Sequence, residues 1–339
     1  MSTWNGRHGP LLIAEIGGNH EGNFDLARRY TELAIGTEAD AVKFQIYTAD
    51  SIVNPSESPD RHAHFKKFEL LPEQHIELAK MCRDAGKLYM ASVWDLTAFE
   101  WIDEYLSIYK IGSGDMTAYP FLREHARRRK PMVVSTGLSS HQEVLDMVGY
   151  LQGLDEYYRD PEHLALLQCT SMYPIPNSDA NLRVMQSLRE ATGLAVGYSD
   201  HTEGSRALVL AAALGADVLE FHFTDSREGK VFRDHKVSLT PSEVADLVAQ
   251  IEMDRELLGD GIKQLLPSEV ENDHPRTFRR ALYPARDLKK GEIVTADDLV
   301  CRRPNHGLDP RDEALVIGKP APRDYKALEK IDPKEWGNS

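Results

Sequence analysis

Short apolar runs alternate with longer amphipathic stretches over most of this chain. The runs predict strands at Leu11–Ile16, Ala39–Ile46, Lys87–Val93, Ser107–Ile111, Met132–Ser135, Leu164–Thr170, Leu194–Tyr198 and Asp217–Phe223. Between them the pattern predicts helices at Phe24–Ile35, Pro72–Ala85, Thr97–Tyr105, Pro120–Ala126, His141–Gly153, Ala180–Thr192 and Ser205–Leu214. A further helix, Pro241–Leu258, follows the last strand. Thr240-Pro241-Ser242-Glu243 opens it with a capping box and a first-turn proline. Strands alternating with helices imply a parallel α/β sheet. Eight such units over roughly 250 residues are the size of a TIM (β/α)8 barrel. The open, doubly wound alternative lacks its G-x-G-x-x-G turn after the first strand.

Parity sharpens this reading, because side chains alternate faces along a strand and one face of a barrel strand looks inward. In Ala41–Ile46, Val42, Phe44 and Ile46 share one face, and Lys43 and Gln45 share the other. In Val218–Phe223, Leu219, Phe221 and Phe223 form the outward face, so Glu220 and His222 point inward. Glu15 shares the inward face with Leu11 and Ile13. Lys110 stands opposite Tyr109 and Ile111, and Gln168 opposite Leu167 and Cys169. His201 lies just past the seventh strand. All these polar residues sit at C-terminal strand ends, where barrel chemistry is done. Charges buried singly in a core would cost several kcal/mol each, and a wet, ligand-filled mouth removes that objection.

The barrel pattern ends near Gly261, which gives a barrel domain over 1–262. The polar stretch Pro267–Thr277 marks a linker over 263–277. Residues 278–339 form a small, mostly β module, with strand-like runs expected at Ala281–Ala285, Lys289–Gly291 and Leu315–Gly318. A module of about 60 residues is small for independent stability, so docking or dimerisation is expected. One connection, Thr48–Leu70, is about twice the usual length. It carries Pro55, Pro59, His62, His64, Lys66 and Lys67, and reads either as a surface excursion or as a lid over the barrel mouth.

Of 339 residues, 40 are Lys or Arg and 54 are Asp or Glu, a net charge of −14. That balance argues against nucleic acid or a membrane surface as partner, since both are anionic. No apolar run is long enough to span a bilayer, and Met1–Pro10 has no apolar signal core. Cys82, Cys169 and Cys301 stand far apart, which excludes a CxxC site and fits a reducing, cytoplasmic setting.

Against this acidic background, Lys43 and Lys110 converge on one mouth. Ser113-Gly114, Ser135-Thr136-Gly137 and Ser139-Ser140 add hydroxyls and backbone amides. Ser140-His141-Gln142-Glu143 is a capping box, and a helix N-terminus facing a lysine is also a ready phosphate site. The inventory implies a phosphorylated or carboxylated small molecule. His201 and His222 end neighbouring strands about 4.8 Å apart, so both imidazoles reach one metal ion. Glu15, Asp200, Glu220 and Asp234 lie nearby. Such an N/O ligand set suits Mn²⁺, Mg²⁺, Co²⁺ or Zn²⁺ acting as a Lewis acid on a carbonyl.

Five motifs in one order, Ile13–His20, Ala41–Gln45, Tyr109–Asp115, Ser135–Leu138 and Tyr198–Thr202, resemble the sialic acid (N-acetylneuraminate) synthase family. From Arg279-Arg280-Ala281-Leu282 through Arg302-Arg303-Pro304, the C-terminal module resembles that family's antifreeze-protein-like (SAF) domain. The resemblance implies condensation of phosphoenolpyruvate with an N-acetylmannosamine-type aldose. The products are phosphate and a nine-carbon 2-keto acid, by a metal-dependent route with C–O cleavage. It implies a divalent cofactor at His201 and His222, Mn²⁺ ahead of Mg²⁺ or Co²⁺. Lys43, Ser92, Lys110, Ser113, Ser140 and Ser199 would grip phosphoenolpyruvate. Glu15 would move protons or water beside Lys43, Lys110 and Asp115 in the catalytic set. Gln45, Asp115, Tyr173 and Asp234 would face the sugar. The family's dimers imply a homodimer in which the SAF domain of one subunit covers the other's site, with Arg303 reaching the sugar's acyl group.

The chain departs from the family pattern at named positions. Asp115 stands where Glu is usual, Ser171 where Asn is usual, and Phe221 where a basic residue precedes the second histidine. Gly229–His235 lacks the usual Gly-Pro-Asp, and Arg303-Pro304-Asn305 replaces Arg-Pro-Gly. The competing expectations are a related synthase for another aldose (legionaminic, pseudaminic, deaminated or phosphorylated) and a non-catalytic binding relative.

Overall fold

The computed structural model describes residues 2–337. Met1, Asn338 and Ser339, at the ends of the two expected domains, lie outside the described residues. The chain divides into two compact units, one up to Gly259 and one from Asp260 onward. Among the described residues, no helix is long and apolar enough to cross a membrane.

The first unit is a nearly closed parallel barrel of eight strands. They are β1 (Gly9–Glu15), β2 (Ala41–Ile46), β3 (Leu88–Val93), β4 (Tyr109–Ile111), β5 (Met132–Ser135), β6 (Leu164–Cys169), β7 (Ala195–Asp200) and β8 (Val218–His222). They pair in the order β3-β2-β1-β8-β7-β6-β5-β4. A single bridge, Tyr89 to Leu106, joins the two ends of that path. Asn5–Gly6 folds back as a short antiparallel arm on β1.

Helices α1 (Phe24–Ile35), α3 (Pro72–Asp84), α4 (Tyr119–Ala126), α5 (His141–Leu154), α6 (Val184–Thr192), α7 (Arg206–Ala213) and α8 (Pro241–Leu258) pack around the wall, while α2 (Pro59–Phe68) buries no residue and lines the cavity at the mouth. Their starts are chemically marked. The Asn23 side chain accepts from the Leu26 N–H to cap α1. Ser140 and Glu143 form the capping box of α5, and Pro241 begins α8 with Glu243 bonded back to the Thr240 N–H.

The expected helix at Thr97–Tyr105 is broken into three successive short turns over 96–105. The expected helix from Ala180 starts only at Val184, because a separate turn, Asn177–Asp179, precedes it.

Two apolar clusters divide the strands by face. Leu12, Ala14, Val42, Phe44, Tyr109, Ile111, Leu219 and Phe221 face the helices. Leu11, Ile13, Ala41, Met90, Ile108, Val133, Ala165, Leu167, Ala195 and Val218 fill the lower barrel interior. Each fully buried Leu or Val stabilises by about 1.5–3 kcal/mol, so this plug fixes the wall on which the mouth is built.

The second unit holds β9 (Ala281–Pro284) and β10 (Leu299–Arg302), paired antiparallel, over a core that includes Leu288, Val294, Val316, Tyr325 and Trp336. Of the three strand-like runs expected here, only Ala281–Ala285 supplies a strand. Lys289–Gly291 is a turn and Leu315 ends a 3₁₀ segment. The stretch read as a linker carries two short helices, Pro267–Glu271 and His274–Thr277. A leading proline at Pro267, and at Pro275 in the second, suits the first turn of each.

Candidate active site

The inner faces of the strands change character toward their C-terminal ends. Above the apolar plug stand Glu15, Lys43, Ser92, Lys110, Ser135, Cys169, Ser199, Glu220 and His222, all buried. Register brings them together: Glu15 lies beside Lys43 on one side and His222 on the other, and Ser199 lies beside Glu220.

The charges are laced into one network. Lys43 Nζ is 2.6 Å from Glu15 Oε2 and 3.8 Å from Glu220 Oε2, and Lys110 Nζ is 3.4 Å from Glu220 Oε1. Lys110 donates to Ser135 Oγ at 2.8 Å, and Ser199 Oγ donates to Glu220 Oε1 at 2.9 Å. Gln45 donates to Glu15 Oε1 at 3.0 Å.

Burial pushes the Glu15 carboxyl above its usual range, and the Lys43 ammonium only partly opposes it. Burial would also raise Glu220, but Lys110 and Lys43 outweigh it and hold that carboxyl low. Burial would likewise depress Lys43, and Glu15 and Glu220 outweigh it and hold its ammonium high.

Beside this network stand the two histidines, their ring centroids 5.3 Å apart. His201 Nδ1 donates to the Thr170 carbonyl at 2.7 Å, which leaves Nε2 with a free lone pair. His222 Nδ1 is buried without a hydrogen-bond partner, 3.9 Å from Asp234 Oδ2. Burial lowers both pKa values and keeps both rings neutral. Neutral imidazoles with an orphaned nitrogen and a nearby carboxylate fit a divalent cation. Among the described residues, no group of three His, Cys, Asp or Glu side chains is gathered for a metal ion, so water or substrate oxygens would complete its shell.

A cavity of about 1070 Å³ opens above this floor. Glu15, Lys43, Gln45, Ser92, Lys110, Ser113, Asp115, Tyr173, Ser199, His201, His222 and Asp234 all line it.

A family model described as the NeuB family matches residues 30–263, and a SAF domain model matches 279–334. The chain belongs to the NeuB family. It is 34% identical over 334 residues to an N,N′-diacetyllegionaminic acid synthase of Campylobacter jejuni, covering 95% of this chain and 98% of the relative. It is 32% identical to the N-acetylneuraminate-9-phosphate synthase of Homo sapiens, with 93% and 89% covered. A crystal structure of an N-acetylneuraminic acid synthetase from Leptospira borgpetersenii, in complex with citrate, aligns with a TM-score of 0.71 at 30% identity. It covers 78% of this chain and 90% of that one.

One residue expected at the site stands elsewhere in the barrel of this NeuB-family chain. Ser140 is exposed and does not line the cavity. Its hydroxyl bonds the Glu143 carboxylate at 2.7 Å, which occupies it with capping α5 rather than with phosphate. Arg303 belongs to the second unit, where its guanidinium lies 5.4 Å over the Phe278 ring.

Gln168 is a correction of parity. Its side chain turns outward and donates to the Ala180 carbonyl at 3.0 Å, while Cys169 takes the inward place. Asn19, within the first motif, is also structural: its amide donates to Phe223 O and Ser238 Oγ.

The mouth also holds residues that parity could not find. Trp94 Nε1 donates to Asp115 Oδ2 at 2.7 Å, while burial pushes the Asp115 carboxyl up. The Thr48–Leu70 connection contributes α2, whose Arg61, His64, Phe65, Lys67 and Phe68 line the cavity. Phe68 meets Phe232 at 5.0 Å and His64 meets Phe68 at 4.6 Å, an aromatic clasp between α2 and the loop after β8. Gly18 lies under that clasp; a Cβ there would sit 3.1 Å from the Phe232 ring. Gly137 likewise lets its N–H reach Ser113 Oγ at 3.1 Å, where a Cβ would come within 2.8 Å of that oxygen.

Proposed function

We propose that this chain condenses phosphoenolpyruvate with an N-acetylmannosamine-type aldose, giving a nonulosonic acid and inorganic phosphate. One observation carries the reading. Two lysines share a buried carboxylate at the barrel mouth, beside a neutral histidine pair and an opening large enough for two small substrates. The names of the relatives support the product class, and the differences among those names leave the sugar as the finer question.

Lys43 and Lys110 would take the phosphate and carboxylate of phosphoenolpyruvate, with Ser92, Ser113 and Ser199 adding hydroxyl contacts. In the free site these lysines already face Glu15 and Glu220, so a multiply charged anion brings excess negative charge. A divalent cation at His201 and His222 would offset it, and when bound would polarise the sugar's carbonyl. Protonation of Glu15, whose carboxyl burial already favours neutral, offsets more.

The enol carbon forms a C–C bond to the aldehyde carbon, and the aldehyde oxygen takes the proton held by Glu15, which leaves that side chain a carboxylate. Water then adds at C2, Glu15 receiving its proton. Breakage of the C2–O bond to the phosphate group then releases phosphate, which carries away the proton of the new C2 hydroxyl, and leaves the 2-keto acid. Gln45, Asp115, Tyr173 and Asp234 would hold the sugar over this centre. We extend the reading to a homodimer in which Arg303 of one protomer reaches the sugar's acyl group in its partner.

Phosphate release from phosphoenolpyruvate, measured against a panel of aldoses with and without divalent metal, tests the reading. Metal-dependent release with an N-acetylhexosamine supports it. Binding of phosphoenolpyruvate without release on any aldose would mark a non-catalytic relative. Arg303→Ala should raise the sugar's KM more than that of phosphoenolpyruvate, and the reverse order would overturn the dimer model.

A further inference from the structure

The lysines of the floor are committed to buried carboxylates, but the cavity has other cations at its rim. Arg61 and Lys67 reach it from α2, and Arg233 from the loop after β8. All three are exposed, on a chain whose net charge is −14. On α2 the pairing is asymmetric. Lys66, off the cavity lining, pairs with Glu69 at 2.9 Å, and His62, also off it, meets Asp50 at 2.8 Å. Arg61 and Lys67, on the lining, have no carboxylate partner among the described residues.

Arg233 is held differently. Its Nε lies 3.3 Å from Asp234 Oδ1, and its guanidinium sits 4.7 Å over the Tyr173 ring. That stacking fixes the plane while leaving the terminal nitrogens to meet an oxyanion in a fork. The clasp between Phe68 and Phe232 joins the two elements that carry these cations, so they share one opening. The acids that line the cavity are each engaged: Glu15 and Glu220 by the floor lysines, Asp115 by the Trp94 N–H, Asp234 by Arg233, and Glu21 by His235, which it faces at 3.6 Å.

We infer that Arg61, Lys67 and Arg233 form a second anion subsite at the rim, and that the aldose taken by this enzyme carries a phosphate or carboxylate away from its aldehyde. The inference rests on the proposed condensation and deepens it by naming the sugar class. A neutral aldose gives three rim cations nothing to pair with. An exposed, solvated arginine contributes little by itself, but an oxyanion held by a fixed guanidinium and a second cation gains charge-assisted hydrogen bonds.

The test compares N-acetylmannosamine, its 6-phosphate and its uronic acid as acceptors, in the wild type, in Arg233→Ala and in the double variant Arg61→Ala/Lys67→Ala. The wild type should favour one charged sugar over the neutral one by about tenfold or more in kcat/KM. Each variant should shrink that ratio by about tenfold, with the change in sugar KM exceeding that in phosphoenolpyruvate KM. Whether the phosphate or the uronate arm wins identifies the anion. Equal kcat/KM for neutral and charged sugars in the wild type overturns the inference. So does an effect of the substitutions borne wholly by phosphoenolpyruvate. If no sugar is turned over, the condensation fails, and calorimetry still decides the subsite. Charged sugars that bind the wild type more tightly than the double variant support it, and absent or equal binding sinks it.

Discussion

The lower and upper halves of the barrel interior belong to the same strands and the same faces, yet obey opposite rules. Leu167 and Cys169 on β6, or Val218 and Glu220 on β8, are two residues apart, about 6.6 Å along the strand. Below, Ala165, Leu167, Ala195 and Val218 pack into a dry plug. Above, every inward position but Cys169 carries a donor, an acceptor or a charge, and each charge has an opposite within ion-pair distance. The plug excludes water and sets the low-dielectric base that strengthens the ion pairs above it. The mouth needs that base, while the plug gains nothing from the mouth, so the lower half carries stability and the upper half carries chemistry.

The sharpest break of this contrast is a charge moved down one step. Leu167→Asp places a carboxylate in the plug with no cation at hand, a loss of about 4 kcal/mol or more. It should yield unfolded or insoluble chain by circular dichroism. Cys169→Ser, one step higher on the same face beside the Ser113 and Ser199 hydroxyls, should leave the fold and Tm nearly unchanged. Similar destabilisation by both would end the distinction between the halves.

Next in size is the loss of function without loss of fold. Lys110→Ala removes a buried cation from the expected anion site, so the Kd for phosphoenolpyruvate should rise by about a hundredfold or more. The chain should still give a cooperative melt, since Glu220 keeps Lys43 at 3.8 Å. Unchanged affinity in calorimetry would refute the phosphate role of Lys110.

The contrast also explains what could be read without coordinates. Strands with a polar residue every second place declared their inner face. Lys43 and Gln45 on β2, and Glu220 and His222 on β8, line the cavity because Val42, Phe44, Leu219 and Phe221 demand the helix side. Strand β6 is apolar on both faces, as strands of a parallel barrel often are, so Leu164–Cys169 offered no alternation to follow. Gln168, its one strongly polar side chain, was the misleading one, turned out to the Ala180 carbonyl. The clasp of Phe68 and Phe232 and the bond from Trp94 to Asp115 join residues far apart in sequence. No local period records such pairs.

A smaller effect concerns acid, and it sets the wall against the mouth. In the shell, His20, His75 and His125 are buried, and burial lowers them to about 4, about 3 and about 4. An unfolded histidine titrates near 6.5. Between these values the unfolded chain binds more protons than the folded one, so stability is full above about pH 6.5 and falls as pH drops toward 4. The neutral His201 and His222 at the mouth add in the same direction. His125→Phe, within the ring cluster of Phe99, Tyr109 and Phe121, removes one titrating group without opening a cavity. It should flatten the fall in Tm between pH 7 and pH 5. An unaltered slope would remove His125 from the acid-sensitive groups and leave the fall to His20, His75 and the mouth.

The smallest effect separates two serines that sequence puts in one role. Ser135 lies on the inner face of β5, where its hydroxyl accepts from Lys110. Ser140, five residues on, is exposed, and its side chain is the N-cap of α5. Replacing a capping serine by alanine costs about 1 kcal/mol, a drop of a few degrees in Tm for a chain this long. A phosphate ligand lost with it would instead raise the KM for phosphoenolpyruvate by about tenfold. Ser140→Ala should therefore lower Tm slightly and leave that KM alone, whereas Ser135→Ala should do the reverse, because Lys110 loses the hydroxyl that aims it. If Ser140→Ala raises the KM with no change in Tm, the anion site extends past the rim to the start of α5, and the upper half of the interior is not the whole of the binding surface.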